Sequence, residues 1–219
     1  MRLERRAFLQ LSLGALAGLM LGCNRGGLAV APDMDLDAFL AEVHARADRL
    51  VMAATPDEEA YLARVAALAR RLAPLPSPGF PVAEDYVGVT LRKSYPVEIL
   101  QFRMEPHASM PCHDHRDTAG VLLGLEGEVR TARYEILGED PVPTGAFQVR
   151  KTGQERIVPG AISTLARRRE NLHALEAGPA GARFLDVFTR FKPGACSHFL
   201  VLDPKSPGAG QGIYVAFWA

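Results

Sequence analysis

The sequence predicts a mainly β protein, a small barrel or sandwich, preceded by two α-helices. Three observations carry this reading. Short runs rich in β-branched and aromatic residues follow one another closely from residue 86 onward. Turn residues such as GED, PTGA, KTGQ and GPAG separate them, with no helical period between. Before residue 80 the apolar residues instead recur at helical spacing. The 219 residues suffice for one domain with a sizeable core, and 48% hydrophobic against 23% charged residues are globular proportions. Lysine plus arginine balance aspartate plus glutamate at 25 each, so no basic face argues for nucleic acid.

The first segment is read as an export signal. MRLERR is a short positive stretch, and AFLQLSLGALAGLMLG is an apolar run ended by Cys23, somewhat short for a bilayer span. RRAFLQ resembles a twin-arginine signal, and LMLGC resembles a lipobox with Met20 where leucine is usual. Residues 1–23 are therefore expected to direct export to the periplasm or cell envelope. Cys23 is the expected point of any lipid anchor and the only expected contact with a membrane. Residues 24–33, NRGGLAVAPD, read as a linker, residues 34–80 as a helical pair and residues 81–219 as the β domain.

In the helical pair, Leu36, Phe39, Leu40, Val43, Ala47, Leu50 and Val51 lie near one face of the first helix. His44 on that helix has no partner histidine nearby and reads as a surface or packing residue. The second helix opens on a strong start signal, with Thr55 as cap, Pro56 in the first position and Glu58 completing the box. It stops in PLPSPGFP. The β domain then reads as the runs YVGVTLR, VEILQFRME, VLLGLEGEVRTARYEIL, FQVRKTGQERIV, AISTLA, NLHALEA, ARFLDVFTRF and YVAFW.

Within MPCHDHRDTAGVLLGLEGEV, two of the six histidines, His113 and His115, stand one residue apart. Alternating side chains of a strand project to opposite faces, so this pair shares a face and can offer two nitrogens to one metal. A third ligand must come from another strand. The candidates are His173 in NLHALEA, His198 in ACSHFLVLD and His107 in the turn-like EPHAS. Cys112 has the opposite parity and should face away. Cys112 and Cys196 leave a disulfide open in an oxidising compartment without requiring one.

These blocks resemble the cupin thiol dioxygenases of the cysteamine dioxygenase and plant cysteine oxidase group. That group shows Pro-x-His-Asp-His, a glycine, an apolar stretch ending in a second glycine, and much later an Asn-x-His strand and a GPA…FLD segment. Here the first block runs through Gly120 and Gly127, and the second through Asn171, His173, Gly178, Pro179 and Asp186. The resemblance covers roughly residues 86–200. It implies a double-stranded β-helix holding Fe(II) through His113, His115 and His173, and oxidation of a small thiol or an N-terminal cysteine to a sulfinate by O2. Other cupins add a glutamate after three or four intervening residues past the second histidine, where this chain has Ala119 and Gly120. Asp117, the nearest acid, has ligand parity but reads as a turn residue.

Two further residues are candidates. Asp186, flanked by Phe184, Leu185 and Val187, needs a partner to be buried as a carboxylate. It is expected to accept the free N–H of a ligand imidazole or to pair with a neighbouring arginine. His198 stands where the group often has the tyrosine of Cys-x-Tyr, and is read as an acid–base or polar supporting group, a fourth ligand or filler. Arg103, Arg116 and Arg130 are unranked candidates for a substrate carboxylate. Two other readings stay open: a non-catalytic metal-binding or ligand-sensing cupin of the cell envelope, and a cupin enzyme using another metal on a non-thiol substrate.

Overall fold

A computed structural model of the chain describes residues 33–82, 85–138, 145–167 and 171–219. The segment read as an export signal, Cys23 and nearly all of the expected linker lie outside the described residues. Among the described residues, no helix is long and apolar enough to cross a membrane.

Helix α1 spans Leu36–Met52, capped by Asp35, whose carboxylate accepts the Ala38 N–H at 2.8 Å. It buries Phe39, Val43, Ala47 and Leu50, spaced as the helical period requires. His44 lies on its outer side, 3.1 Å from Asp48. Helix α2 spans Glu58–Ala69, and here the structure corrects the expected start. The cap is Asp57, which accepts the Ala60 N–H at 3.0 Å, not Thr55. Glu58 is not held in a capping box: it accepts Arg167 Nε at 2.7 Å and the Arg167 N–H at 2.9 Å. A tertiary ion pair to a guanidinium outcompetes the local box.

Among the described residues nine strands follow: β1 Tyr86–Ser94, β2 Val97–Met104, β3 Ser109–Asp114, β4 Thr118–Leu137, β5 Phe147–Ile157, β6 Ile162–Leu165, β7 Leu172–Arg190, β8 Leu200–Asp203 and β9 Ile213–Trp218. The sheet order is β1-β2-β7-β4-β5-β9-β8, with β3 on β7 and β6 on β4. Strands β4 and β7 are long, and each changes partners halfway. The second half of β7, Ala182–Arg190, pairs with β2 and the start of β4. Its first half pairs with β3 and the later part of β4, which continues onto β5. Two layers thus share two bent strands, and the fold is a double-stranded β-helix.

The bend has a local cause. The β4–β7 ladder slips twice, at Gly124/Glu126 and at Gly127/Val129. Gly127 (φ +65) and Gly181 (φ +71) sit in the left-handed region at this corner. A Cβ on Gly127 would lie 2.1 Å from the Gly181 carbonyl oxygen, which is backbone and cannot rotate away. Gly127→Ala is therefore expected to lower unfolding free energy by at least about 3 kcal/mol, read from urea titration. An unchanged urea midpoint would show that the corner yields easily. GPAG, a turn in the sequence reading, is thus the corner of one continuous strand.

The alternation of side chains sorts the core into two layers. Val97, Ile99, Ala119, Val121, Leu123, Leu185 and Val187 face outward and form one apolar cluster with both helices. Met104, Leu122, Val129, Leu175, Ala182 and Phe184 fill the barrel interior. Tyr61 of α2 also hydrogen-bonds Thr189 of β7. The helices roof the outside of the strands whose inner face carries Phe184, Asp186 and Phe188.

Candidate metal centre

His113 pairs across the ladder with His173, joining β3 to the start of β7. His115 follows the end of β3, where its N–H donates to the Asn171 carbonyl at 3.0 Å. The backbone register thus carries all three rings to one place. His173 Nε2 lies 3.0 Å from His115 Nε2 and 3.1 Å from His113 Nε2. The three are buried, at 4, 5 and 7% exposure for His113, His115 and His173. His115 stacks on Phe188 at 5.0 Å, and His113 lies 5.4 Å from Phe199.

The other ring nitrogens show which atoms are free to bind. His113 Nδ1 lies 2.9 Å from the Pro111 carbonyl, an acceptor only, so its N–H is there and Nε2 carries a lone pair. His115 Nδ1 is 3.3 Å from Ser197 Oγ. Burial holds the three imidazoles below their ordinary value of 6.5, and for His115 and His173, which lie well below it, the neighbouring rings add to the shift. Three buried, neutral imidazoles with ligand atoms all within 4.8 Å of one another can share one cation. The donor set therefore fits a metal ion. Among the described residues this is the one cluster of histidine, cysteine or acid ligands with that convergence, and it contains no carboxylate.

The other candidate residues fall elsewhere. Asp117 adopts a positive φ of 58° in the turn after the histidines and pairs with Lys192 at 2.8 Å, away from the cluster. His107 is an exposed turn residue with φ 62°. His198 is not brought into the cluster. Its side chain is 55% exposed on the rim, with Nδ1 3.1 Å from Asp114 Oδ1. Cys112 is buried under Tyr134 and Val149, its thiol pushed up to about 12 by burial, and Cys196 is exposed; both are free.

Asp186 corrects one expectation. It lies on β7 between Phe184 and Phe188 on the interior face, opposite Leu100 and Leu122. Among the described residues its side chain accepts no imidazole N–H; His113 Nδ1 faces the Pro111 carbonyl and His115 Nδ1 faces Ser197 Oγ. Nor does it pair with an arginine: among the described residues it makes no hydrogen bond or ion pair. Burial alone raises its carboxyl to about 8. Arg183, three residues earlier, is committed to Glu126, Gln101 and the Leu75 carbonyl.

Of the three arginines, Arg103 and Arg130 pair with Glu105 and Glu128 on the strands. Arg116 lies on the rim, its Nε 3.5 Å from Asp114 and its guanidinium over Trp218. Ser197 was missed by sequence reasoning. Its only signal was its place inside Cys-Ser-His, and a lone serine in a loop announces nothing until the loop folds back.

No family model and no curated protein matches the chain. Solved structures of similar shape include the cupin domain of Schizosaccharomyces pombe Cnp3, 12% identical over 52% of this chain and 70% of that one, with a TM-score of 0.40. KdgF from Halomonas sp. is 13% identical over 53% of this chain and 89% of its own, at 0.38. A recombinant oxalate oxidase solved with glycolate is 16% identical over 52% and 54%, at 0.38. A likeness at this level carries no argument about function, and the double-stranded β-helix follows from this chain's own strand pairing.

Proposed function

We propose that the protein is an exported, iron-dependent thiol dioxygenase that converts a small thiol, or an N-terminal cysteine, to its sulfinate. The observation that carries the reading is the trio of neutral imidazoles with no acid among them. His173 Nε2 lies 3.0 and 3.1 Å from the Nε2 atoms of His115 and His113, close enough for one ion to be shared, and a set without carboxylate leaves that ion's full charge for a thiolate.

Ferrous iron bound there would supply the acidification of the thiol and the redox chemistry with dioxygen. The net change is RSH + O2 → RSO2H, with both oxygen atoms ending on sulfur. The chain's own residues do the rest. The Pro111 carbonyl and Ser197 hydroxyl orient His113 and His115. Phe188 and Phe199 pack against His115 and His113 and narrow the space around them. Asp186 is an acid on the interior face without a cation, and a substrate ammonium is the partner it lacks. Arg116 at the rim suits a substrate carboxylate. An aminothiol such as cysteamine or cysteine answers both the sulfur and the ammonium requirement.

The twin-arginine-like residues support export, and that route carries folded proteins, so iron would be loaded before transport. Copper and zinc would otherwise outcompete ferrous iron at a nitrogen site assembled outside. The decisive experiment combines metal analysis with oxygen uptake. Iron-loaded protein is expected to consume one O2 per sulfinate with cysteamine, cysteine, mercaptopropionate or a Cys-initiating peptide. Absence of uptake with every thiol, at confirmed iron occupancy, would leave the non-catalytic binding or sensing reading in its place.

A further inference from the structure

A second cluster of chemically capable side chains stands on the rim, apart from the three histidines. Asp114 is the middle residue of His-Asp-His, and its strand parity turns it away from the interior. It is 2% exposed and holds His198 at two points: Oδ1 accepts the His198 backbone N–H at 2.8 Å and lies 3.1 Å from Nδ1. The Asp114 N–H in turn donates to the His198 carbonyl at 2.9 Å. A carboxylate can only accept, so Nδ1 carries the imidazole proton and Nε2 a lone pair. That lone pair lies 3.7 Å from Cys196 Sγ, within reach of the thiol hydrogen. Trp218 flanks the ring at 5.9 Å. Nucleophile, base and the acid that orients the base thus follow in order, the thiol open to solvent.

We infer that Cys196, His198 and Asp114 form a thiol–disulfide exchange site for low-molecular-weight disulfides. The thiol proton passes to His198 Nε2 while the sulfur attacks one sulfur of the disulfide R–S–S–R. A Cys196–S–S–R bond forms, the original S–S bond breaks, and RS⁻ leaves, taking the proton from the imidazolium. Cys196 is oxidised as one half of the incoming molecule is reduced, so no further oxidant or reductant enters. Ser197, between the two members, lies 3.3 Å from His115 Nδ1, so the loop carrying Cys196 and His198 abuts the three histidines. The exchange itself does not depend on a metal there.

The full-length protein is mixed with excess cystamine at neutral pH, and cysteamine adducts are followed by peptide mass spectrometry. Cys196 should form the mixed disulfide at least about tenfold faster than a free peptide spanning residues 192–200, with Cys112 unmodified. His198→Gln should bring the Cys196 rate down to that of the peptide, at an unchanged thermal midpoint. If that variant does not fold, the comparison of the native protein with the peptide decides alone. A native rate equal to the peptide's, or a folded His198→Gln protein as fast as the native one, would overturn the proposal.

Discussion

A His173→Ala protein is expected to lose at least about 100-fold in affinity for ferrous iron, and its oxygen uptake with thiols should fall below about 1%. His173 is the middle of the trio, with its Nε2 within 3.1 Å of both other Nε2 atoms, so truncation breaks the set at its centre. His113 and His115 stay where β3 and the Asn171 carbonyl hold them, and a two-nitrogen remnant binds a divalent ion weakly. The fold should survive, because Leu172 and Leu175 keep that part of β7 anchored in the core. Circular dichroism and metal content by mass spectrometry separate loss of the ion from loss of structure. Native-like iron content and uptake in the folded variant would remove His173 from the ligand set.

Asp186→Asn should change stability in a direction set by pH. Burial raises this carboxyl from 3.8 to about 8, so between those values the folded protein binds a proton that the unfolded chain does not. The stability associated with that proton is fully present below about pH 4 and is lost as pH rises through about 8. Asparagine is neutral throughout and keeps the shape. The metal-free variant should therefore match the native protein near pH 4 and exceed it by about 3 kcal/mol or more at pH 8, measured by urea unfolding.

The three histidines act with the opposite sign. Their folded values lie below 6.5, so they destabilise the metal-free protein as pH falls below that value. The difference between native and variant curves cancels their contribution. On the proposed activity, the same change in the iron-loaded protein should raise KM for cysteamine about tenfold or more, while mercaptopropionate, which has no ammonium, is little affected. Parallel stability curves would show that Asp186 is already ionised in the fold. Equal KM values for cysteamine would separate it from amine recognition.

Much of the architecture was legible because local periodicity reports burial. The face of α1 carrying Phe39, Val43, Ala47 and Leu50, and the alternation of inward and outward residues along β5, obey the 3.6 and 2.0 repeats that a packed core demands. Errors arose where a long-range partner overrode a local rule. Glu58 left its capping box for Arg167, more than a hundred residues away. NLHALEA and ARFLDVFTRF read as two strands, yet Gly181 lets β7 turn a corner without ending. Strand β8 escaped notice because it is short and takes its order from its pairing with β9.

The sequence by itself determined that His113 and His115 share a strand face, that no acid follows them at ligand spacing, and that helices precede a β domain. Each of these is a property of neighbours along the chain, where covalent geometry sets direction. Which distant residues complete the pair was decided only by tertiary structure. The β3–β7 register brings His173 in, the corner turns Asp186 toward the interior without a cation, and Asp114 holds His198 on the rim beside Cys196. Strand pairing is a contest among many similar partners, settled by how the whole core packs, and no short stretch of sequence carries that outcome.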